Sequence, residues 1–260
     1  MNRYKIKIFL AVLAVSYFSI LAPAQKKDSH VKDSHAIHWS YAGKTGPEHW
    51  SELNPAYKLC NGGSEQSPID LDNAKLVDLK NLIFTYKRQP INLINNGHTI
   101  QENIKKGSVV VINGKTYQLL QFHFHTPSEH TINGHHYPLE MHLVNQNGYG
   151  EIAVVGVFFK VGRPNKELQK IIDNLPSQIN KEEVNNSVIL NLENLMPVNK
   201  NYIHYTGSLT TPPCSENINW NIFKTPVEAS AQQISKLKLI MGNNSRPVQK
   251  LNNRIVYESK

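Results

Sequence analysis

The middle of the chain has the apolar pattern of β-strands. Residues 108–112 (SVVVI) are mostly β-branched, and the dipeptide Asn113-Gly114 that follows is typical of a two-residue hairpin turn. Lys115–His125 is then the returning strand. The stretch IAVVGVFFKV (Ile152–Val161) is apolar without alternation. This pattern predicts a strand that is buried on both faces of a sheet.

Two segments have the 3.6-residue period of helices. In residues 165–175 the apolar positions 168, 171, 172 and 175 share one helical face, and in residues 229–241 the apolar positions 234, 237 and 241 are similarly placed. No repeat, linker or change of composition interrupts the chain after residue 39. The sequence therefore predicts a mainly β (α+β) fold, with a single domain built on a large central sheet with peripheral short helices.

The first residues have a different pattern. Residues 1–7 carry three basic side chains and no acid, residues 8–21 are almost entirely apolar, and Ala-Pro-Ala follows at 22–24. We therefore expect a cleaved signal peptide over residues 1–24, a flexible leader over 25–38 and the folded domain over 39–260. The alternative is an uncleaved anchor, but the apolar run is short for a span of roughly 20 residues. An exported protein, periplasmic or secreted and without a membrane span after cleavage, is expected.

Charge excludes one class of partner. The signal segment holds three of the 28 basic residues and none of the 20 acidic ones, so residues 25–260 carry a net charge of +5. Lysine and arginine are scattered, without the clustered basic face that nucleic-acid binding requires. The sequence predicts no nucleic-acid partner.

The chain has two cysteines, Cys60 and Cys214. In an oxidising compartment an even number permits one disulfide bond. From the count alone, two unpaired thiols in the core remain the alternative.

The stretch QFHFHTPSEH places histidine at every second position. Because side chains at i and i+2 of a strand share a face, Phe122 and Phe124 point into a core, while His123 and His125 point together to the other face. Their Cα atoms are then about 6.5–7 Å apart, which allows both rings to bind one ion. His142 in LEMHLV, on a second strand, supplies a third imidazole. Three histidines with an open fourth position are typical of a catalytic zinc site.

Metal-bound imidazoles usually donate their second N–H to an oxygen acceptor. Gln121 shares the face of His123 and His125, and Glu140 shares the face of His142. We expect these two side chains to orient the ligands. Glu129, in the loop between the strands, requires a further partner, which we expect from the loop YTGSLTTPPCSE.

Six motifs together carry a family resemblance: GPEHW, QSPIDL, NNGHTI, QFHFHTPSEH, LEMHLV and GSLTTPPC. In this order, from about residue 39 to residue 254, the chain resembles the α-class carbonic anhydrases, in particular the exported bacterial type. The resemblance implies a twisted, mostly antiparallel sheet and the reversible hydration of carbon dioxide by zinc-bound hydroxide. Carbon dioxide and bicarbonate would be the partners, the cofactor would be Zn²⁺, and slow ester hydrolysis would be a secondary activity.

The resemblance also assigns residues. The zinc ligands would be His123, His125 and His142, and Thr210 would accept a hydrogen bond from the hydroxide and donate its own to Glu129. His98 in NNGHTI would be the proton shuttle, since an ordinary histidine pKa of about 6.5 lies close to that of the zinc water. Cys60 and Cys214 would be bonded. Carbon dioxide would contact a group of residues around the metal: Val144, Val154, Leu209, Thr210, Thr211, Ile218 and Trp220.

Two other functions fit the sequence less well. A non-catalytic, carbonic-anhydrase-like binding domain would lack a zinc histidine, but all three are present here. A zinc protease would need the motif H-E-x-x-H, which the sequence does not contain. The oligomeric state, monomer or homodimer, is left open.

Overall fold

The computed structural model describes residues 38–260, which belong to one compact unit. The predicted signal peptide (1–24) and all but the last residue of the predicted leader (25–38) lie outside the described residues. The strands are β1 Lys75–Val77, β2 Ile83–Thr85, β3 Gln89–Asn95, β4 Ile100–Asn103, β5 Val109–Ile112, β6 Lys115–His125, β7 Thr131–Ile132, β8 His135–His136, β9 Leu139–Gln146, β10 Ile152–Val161, β11 Glu182–Leu190, β12 Tyr202–Ser208, β13 Glu216–Ala229 and β14 Tyr257–Ser259. The helices are α1 Trp50–Leu53, α2 Leu59–Gly62, α3 Lys166–Asp173 and α4 Ala231–Met241, with 3-10 turns at Gly43–Thr45, Pro47–His49, Pro55–Tyr57 and Leu192–Leu195.

Within the described residues, one sheet of 12 strands organises the fold. Its main path is β1-β14-β12-β13-β10-β9-β6-β4-β3-β11, and β5 pairs with both β6 and β2. The β1–β14 and β10–β13 pairs are parallel and the other pairs of this sheet are antiparallel. The predicted mainly β fold, with a large, mostly antiparallel sheet and short helices, is confirmed.

The hairpin between β5 and β6 forms where the sequence predicts it. Asn113 and Gly114 have φ angles of 50° and 82°, as a two-residue turn of this type requires. A second Asn-Gly pair, Asn133-Gly134, makes the same kind of turn between β7 and β8. This small hairpin lies in residues 126–138, where the sequence predicts only a loop between the two strands that carry the histidines.

The apolar run of β10 is buried because β10 lies between β9 and β13 and packs on both faces. Its residues Val155, Val157 and Phe159 join the larger core cluster, whereas Val154 and Phe158 join a second cluster on the opposite face. The second cluster lies on the face of the sheet that carries the histidines.

Both predicted helices are present, and a side chain caps the first turn of each. The Asn165 side chain accepts hydrogen bonds from Glu167 N and Leu168 N at the start of α3. Ser230 and Gln233 form a reciprocal capping box at the start of α4. The predicted limits 165–175 and 229–241 were too wide by one or two residues at these ends.

Cys60 and Cys214 are joined by a disulfide bond, with Cα atoms 5.0 Å apart. The bond is buried beside Trp50 and connects α2 to the loop that follows β12. The predicted disulfide is confirmed. None of the helices in residues 38–260 is long and apolar enough to cross a membrane.

Candidate metal centre

Strand pairing brings the three predicted ligands together. In the antiparallel β6–β9 register His123 lies directly opposite His142, and His125 follows two residues later on the same face. Phe122 and Phe124 point to the other face and are fully buried in the larger core. One nitrogen from each of the three imidazoles lies within 4.8 Å of the others, which is a spacing that one ion can bridge.

Hydrogen bonds determine which nitrogen of each ring faces the centre. Nδ1 of His123 lies 2.8 Å from Gln121 Oε1, and Nδ1 of His125 lies 2.8 Å from the carbonyl oxygen of Asn244. Nε2 of His142 lies 2.8 Å from Glu140 Oε1. Since these oxygens accept, each of these nitrogens carries the hydrogen. Nε2 of His123, Nε2 of His125 and Nδ1 of His142 are therefore free to bind a metal.

The site fits a metal cation by two further observations. His125 Nε2 and Glu129 Oε2 are buried and have no hydrogen-bond partner among the described residues. Burial lowers the pKa of both His123 and His125, and for His123 the neighbouring rings of His125 and His142 add to this effect. Both rings are therefore neutral at physiological pH, which is the form that binds metal.

The second group of potential ligands, His130, Glu140 and His142, shares two residues with the first. Here Glu140 Oε1 already accepts hydrogen bonds from His130 Nδ1 and His142 Nε2, both at 2.8 Å. Its other oxygen accepts from the backbone N–H groups of Glu129 and His130. With both oxygens occupied by donors, Glu140 has no free ligand atom, and this group is not a second candidate metal site.

Glu129 is held by a backbone donor through one of its two carboxylate oxygens. Its Oε1 accepts the backbone N–H of Arg246 at 2.9 Å, and its Oε2 lies 3.5 Å from His125 Nε2. Thr210 is buried in the loop after β12. The expected hydrogen bond from Thr210 to Glu129 is not formed. Oε2 of Glu129 has no hydrogen-bond partner among the residues the structure describes, and Oε1 accepts from Arg246 N.

The residues expected to contact carbon dioxide lie on one face of the sheet. Val154, Ile218 and Trp220 are buried in the second hydrophobic cluster, and half-buried Val144 and Leu209 pack against it. The ring centroids of Trp220 and His142 are 4.8 Å apart, so the cluster reaches the metal centre. Thr211 is half-buried next to Thr210.

His98 lies in the turn after β3, where its ring stacks on Trp39 with centroids 3.6 Å apart and planes 5° from parallel. The ring of His38 meets it edge-on at 4.7 Å. Burial, with repulsion from His38, lowers the pKa of His98 from 6.5 to about 4. In this orientation the ring is a poor proton acceptor at neutral pH, and the shuttle role stays a prediction.

Several residues of the centre were missed by the sequence analysis. Asn244 and Arg246 act through backbone atoms, which leave no residue-specific pattern in a sequence. His130 is fully buried and donates to Glu140. Its position within the motif SEH was the one available indication.

Comparison with known proteins gives consistent results. Residues 45–260 match the family model described as eukaryotic-type carbonic anhydrase. A carbonic anhydrase of Nostoc sp. is 40% identical over 256 residues, with 96% of this chain and 94% of the relative covered. One from Klebsiella pneumoniae is 45% identical over 226 residues, covering 86% and 92% of the two chains. A solved α-carbonic anhydrase of Thermovibrio ammonificans, in complex with sulfanilamide, superposes with a TM-score of 0.82 at 46% identity, over 86% of this chain and 99% of that one.

Proposed function

The chain belongs to the eukaryotic-type carbonic anhydrase family, and from this premise we propose that it hydrates carbon dioxide with a zinc ion held by His123, His125 and His142. The reversible conversion of carbon dioxide and water to bicarbonate and a proton is the general reaction of the family. The zinc, the ligand set and the roles below are our proposal.

One observation carries the proposal: one nitrogen from each of three imidazoles converges on a common point, while the N–H on each ring's other nitrogen is held by an oxygen acceptor. Neutral imidazoles leave zinc its full charge, whereas thiolates would weaken it as a Lewis acid. In carbonic anhydrase, the reference example for this chemistry, bound zinc lowers the pKa of a coordinated water far below that of bulk water, to about 7, so that a nucleophile is available at neutral pH. This donor set fits zinc.

The chain's own side chains would orient and confine the reactants. Thr210 would accept a hydrogen bond from the nucleophile and donate its hydroxyl hydrogen to Oε2 of Glu129, the oxygen that lacks a partner among the described residues. Glu129 is fixed for this task because its Oε1 is held by Arg246 N. Such a relay would leave an oxygen lone pair of the nucleophile directed at carbon dioxide.

The second hydrophobic cluster would form an apolar wall that holds carbon dioxide beside the proposed metal and excludes water from it. Val154, Ile218 and Trp220 supply buried apolar surface there. Thr211 and the exposed part of Leu209 would line the entrance. The same nucleophile would hydrolyse activated esters slowly as a secondary activity. His98 would carry the released proton to solvent after leaving its stack on Trp39.

The experiment is stopped-flow carbon dioxide hydration by the protein lacking residues 1–24, with and without a chelator, together with a metal assay. We expect one zinc per chain and hydration that the chelator abolishes. His125→Ala should lose tight zinc binding, whereas His135→Ala, at an exposed position on β8, should keep it. Full turnover and stoichiometric zinc in His125→Ala would refute the ligand assignment.

The same preparation separates the alternative function. A non-catalytic binding domain of this fold would show no hydration even with metal bound. We further propose that the protein acts after export, in the periplasm or outside the cell, as a monomer or homodimer. The buried disulfide supports an oxidising compartment. Fractionation of the producing cells tests the location.

A further inference from the structure

A continuous chain of buried hydrogen bonds leads from His142 away from the metal centre to the end of β12. The links are His142 Nε2–Glu140 Oε1 at 2.8 Å, Glu140 Oε1–His130 Nδ1 at 2.8 Å, His130 Nε2–Tyr205 Oη at 2.7 Å, Tyr205 Oη–Ser67 Oγ at 2.7 Å and Ser67 Oγ–Ser208 N at 3.0 Å. Each of these six residues is at most 1% exposed. The chain is therefore shielded from bulk water in the folded protein.

The hydrogens of this chain have one consistent order. Glu140 only accepts, so His130 donates from Nδ1 and its Nε2 is left as an acceptor. The Tyr205 hydroxyl then donates to Nε2 of His130 and accepts from the Ser67 hydroxyl. Ser67 Oγ in turn accepts the backbone N–H of Ser208. Each donor and acceptor along the chain is satisfied, which is what makes a buried polar network rigid.

The packing around the chain leaves little room for movement. A Cβ atom at Gly207 would lie 2.2 Å from Ser67 Oγ and 2.6 Å from Tyr205 Cε2, so a residue without a side chain is required there. Trp220 packs against the rings of His130 and His142, both with centroids at 4.8 Å. Its Nε1 donates to Ser208 O at 2.9 Å.

The far end of the chain is tied to the loop that carries Thr210. Ser67 and Ser208 bond reciprocally, since Ser67 N also donates to Ser208 Oγ at 2.9 Å. The Ser208 hydroxyl donates to Leu209 O, one residue before Thr210. One network thus contacts both a ligand of the proposed metal and the segment that leads to Thr210.

We propose that Tyr205, acting through His130 and Glu140, is a positioning residue for His142, and that Ser67 links the same chain to the Thr210 loop. This proposal rests on the zinc site proposed above. Tyr205 touches neither substrate nor metal in it. Its hydroxyl fixes the ring of His130, which fixes Oε1 of Glu140, which fixes the direction of Nδ1 of His142.

The test compares two tyrosine hydroxyls of the same strand. Tyr205→Phe removes the hydroxyl and keeps the ring. Tyr202→Phe is the matched control, because Tyr202 is also buried on β12 and its hydroxyl donates to Lys80 O, outside the chain. The measurements are zinc release into excess chelator, the imidazole N–H resonances of His130 and His142 by NMR, and the melting temperature.

We expect zinc release about 10-fold faster in Tyr205→Phe than in wild type, the lower end of the range for loss of an outer-shell partner. The two imidazole N–H resonances should shift in this variant. Tyr202→Phe should lower the melting temperature by a similar amount but leave zinc release and both resonances unchanged.

Equal zinc release in the two variants, with the imidazole resonances of Tyr205→Phe in place, would overturn the positioning role. Should Tyr205→Phe fail to fold, Ser67→Ala removes the next hydroxyl of the chain and is expected to shift the same resonances. Wild-type protein without zinc would instead refute the proposed function itself, so the two failures are distinguishable.

Discussion

The chemistry of the centre depends on single atoms and on which of them remain free. Each of the three proposed ligand histidines has one nitrogen hydrogen-bonded to an oxygen acceptor, which leaves the other nitrogen free for a metal. Glu129 follows the same rule, because Arg246 N occupies Oε1 and leaves Oε2 for another donor. Hydrogen bonds thus leave one free nitrogen on each of the three rings and one free oxygen on Glu129, and the proposed chemistry uses these free atoms.

Thr210 is the donor that we expect for Oε2 of Glu129. Thr210→Ala should retain stoichiometric zinc and lose about 10- to 100-fold in kcat/KM for hydration, the usual range for groups that orient metal-bound species. Thr225→Ala serves as the control, since Thr225 lines a surface cavity with Lys160 and Pro197. Unchanged hydration by Thr210→Ala would remove this residue from the mechanism.

His98 must leave Trp39 to act as a shuttle, because burial in the stack favours its neutral form and holds its pKa at about 4. Because a proton shuttle acts after the carbon dioxide step, His98→Ala should lower kcat in dilute buffer and leave kcat/KM nearly unchanged. Added imidazole should restore kcat. In Trp39→Ala the ring is more exposed, so the pKa of His98 should rise toward 6.5, as NMR titration of its ring protons would show. A kcat of His98→Ala equal to wild type in weak buffer would assign the proton to another carrier.

At the scale of elements, side-chain caps mark the first turn of the two longer helices, α3 and α4. The capping box of α4 satisfies Gln233 N and Ser230 N, two groups that the helix itself leaves unpaired. On β6 and β9, the two-residue period of the strands and their pairing register decide which residues meet. A shift of one residue would turn His123 into the core and Phe122 toward the site.

The cap of α4 offers a direct measurement. Ser230→Ala should lower the free energy of unfolding by about 1 kcal/mol, because Gln233 N loses its acceptor. Ser235→Ala, at an exposed position inside the same helix, should be neutral or slightly stabilising. Urea unfolding of the two variants provides the comparison, and equal stabilities would show that the cap contributes nothing.

At the scale of the molecule, distant segments are joined around the Thr210 loop. The disulfide links residues 154 positions apart, and Gln66 Nε2 donates to the carbonyl oxygen of Cys214. The Arg246 guanidinium donates to Cys60 O, Gln66 Oε1 and Ser67 O. These contacts bind the segment 60–67 to the loop after β12 and to Arg246, whose backbone N–H holds Glu129.

Loss of the disulfide should therefore affect stability and catalysis together. For a loop of this length, the chain-entropy model gives an upper value of roughly 5 kcal/mol. The double variant Cys60→Ser/Cys214→Ser should melt at a lower temperature and hydrate carbon dioxide more slowly. Calorimetry and stopped-flow assays provide the two measurements. A melting temperature equal to that of oxidised wild type would contradict the expected contribution.

The sequence by itself determined the features that depend on local backbone geometry. The two-residue period of a strand places His123 and His125 on one face, and a β-hairpin forms at Asn113-Gly114 because these residues tolerate positive φ. For the same reason the limits of β6 and β10 were predicted correctly. The family resemblance added the disulfide, which the cysteine count had left open.

Only the tertiary structure decided which distant groups complete the centre. Asn244 O reaches His125 across 119 residues, and Arg246 N reaches Glu129 across 117. Backbone atoms make these contacts, and every residue has such atoms, so no side-chain pattern announces them. The stack of His98 on Trp39 and the chain from His142 to Ser208 arise in the same way. They depend on how separate segments pack, and local periodicity carries no information about that packing.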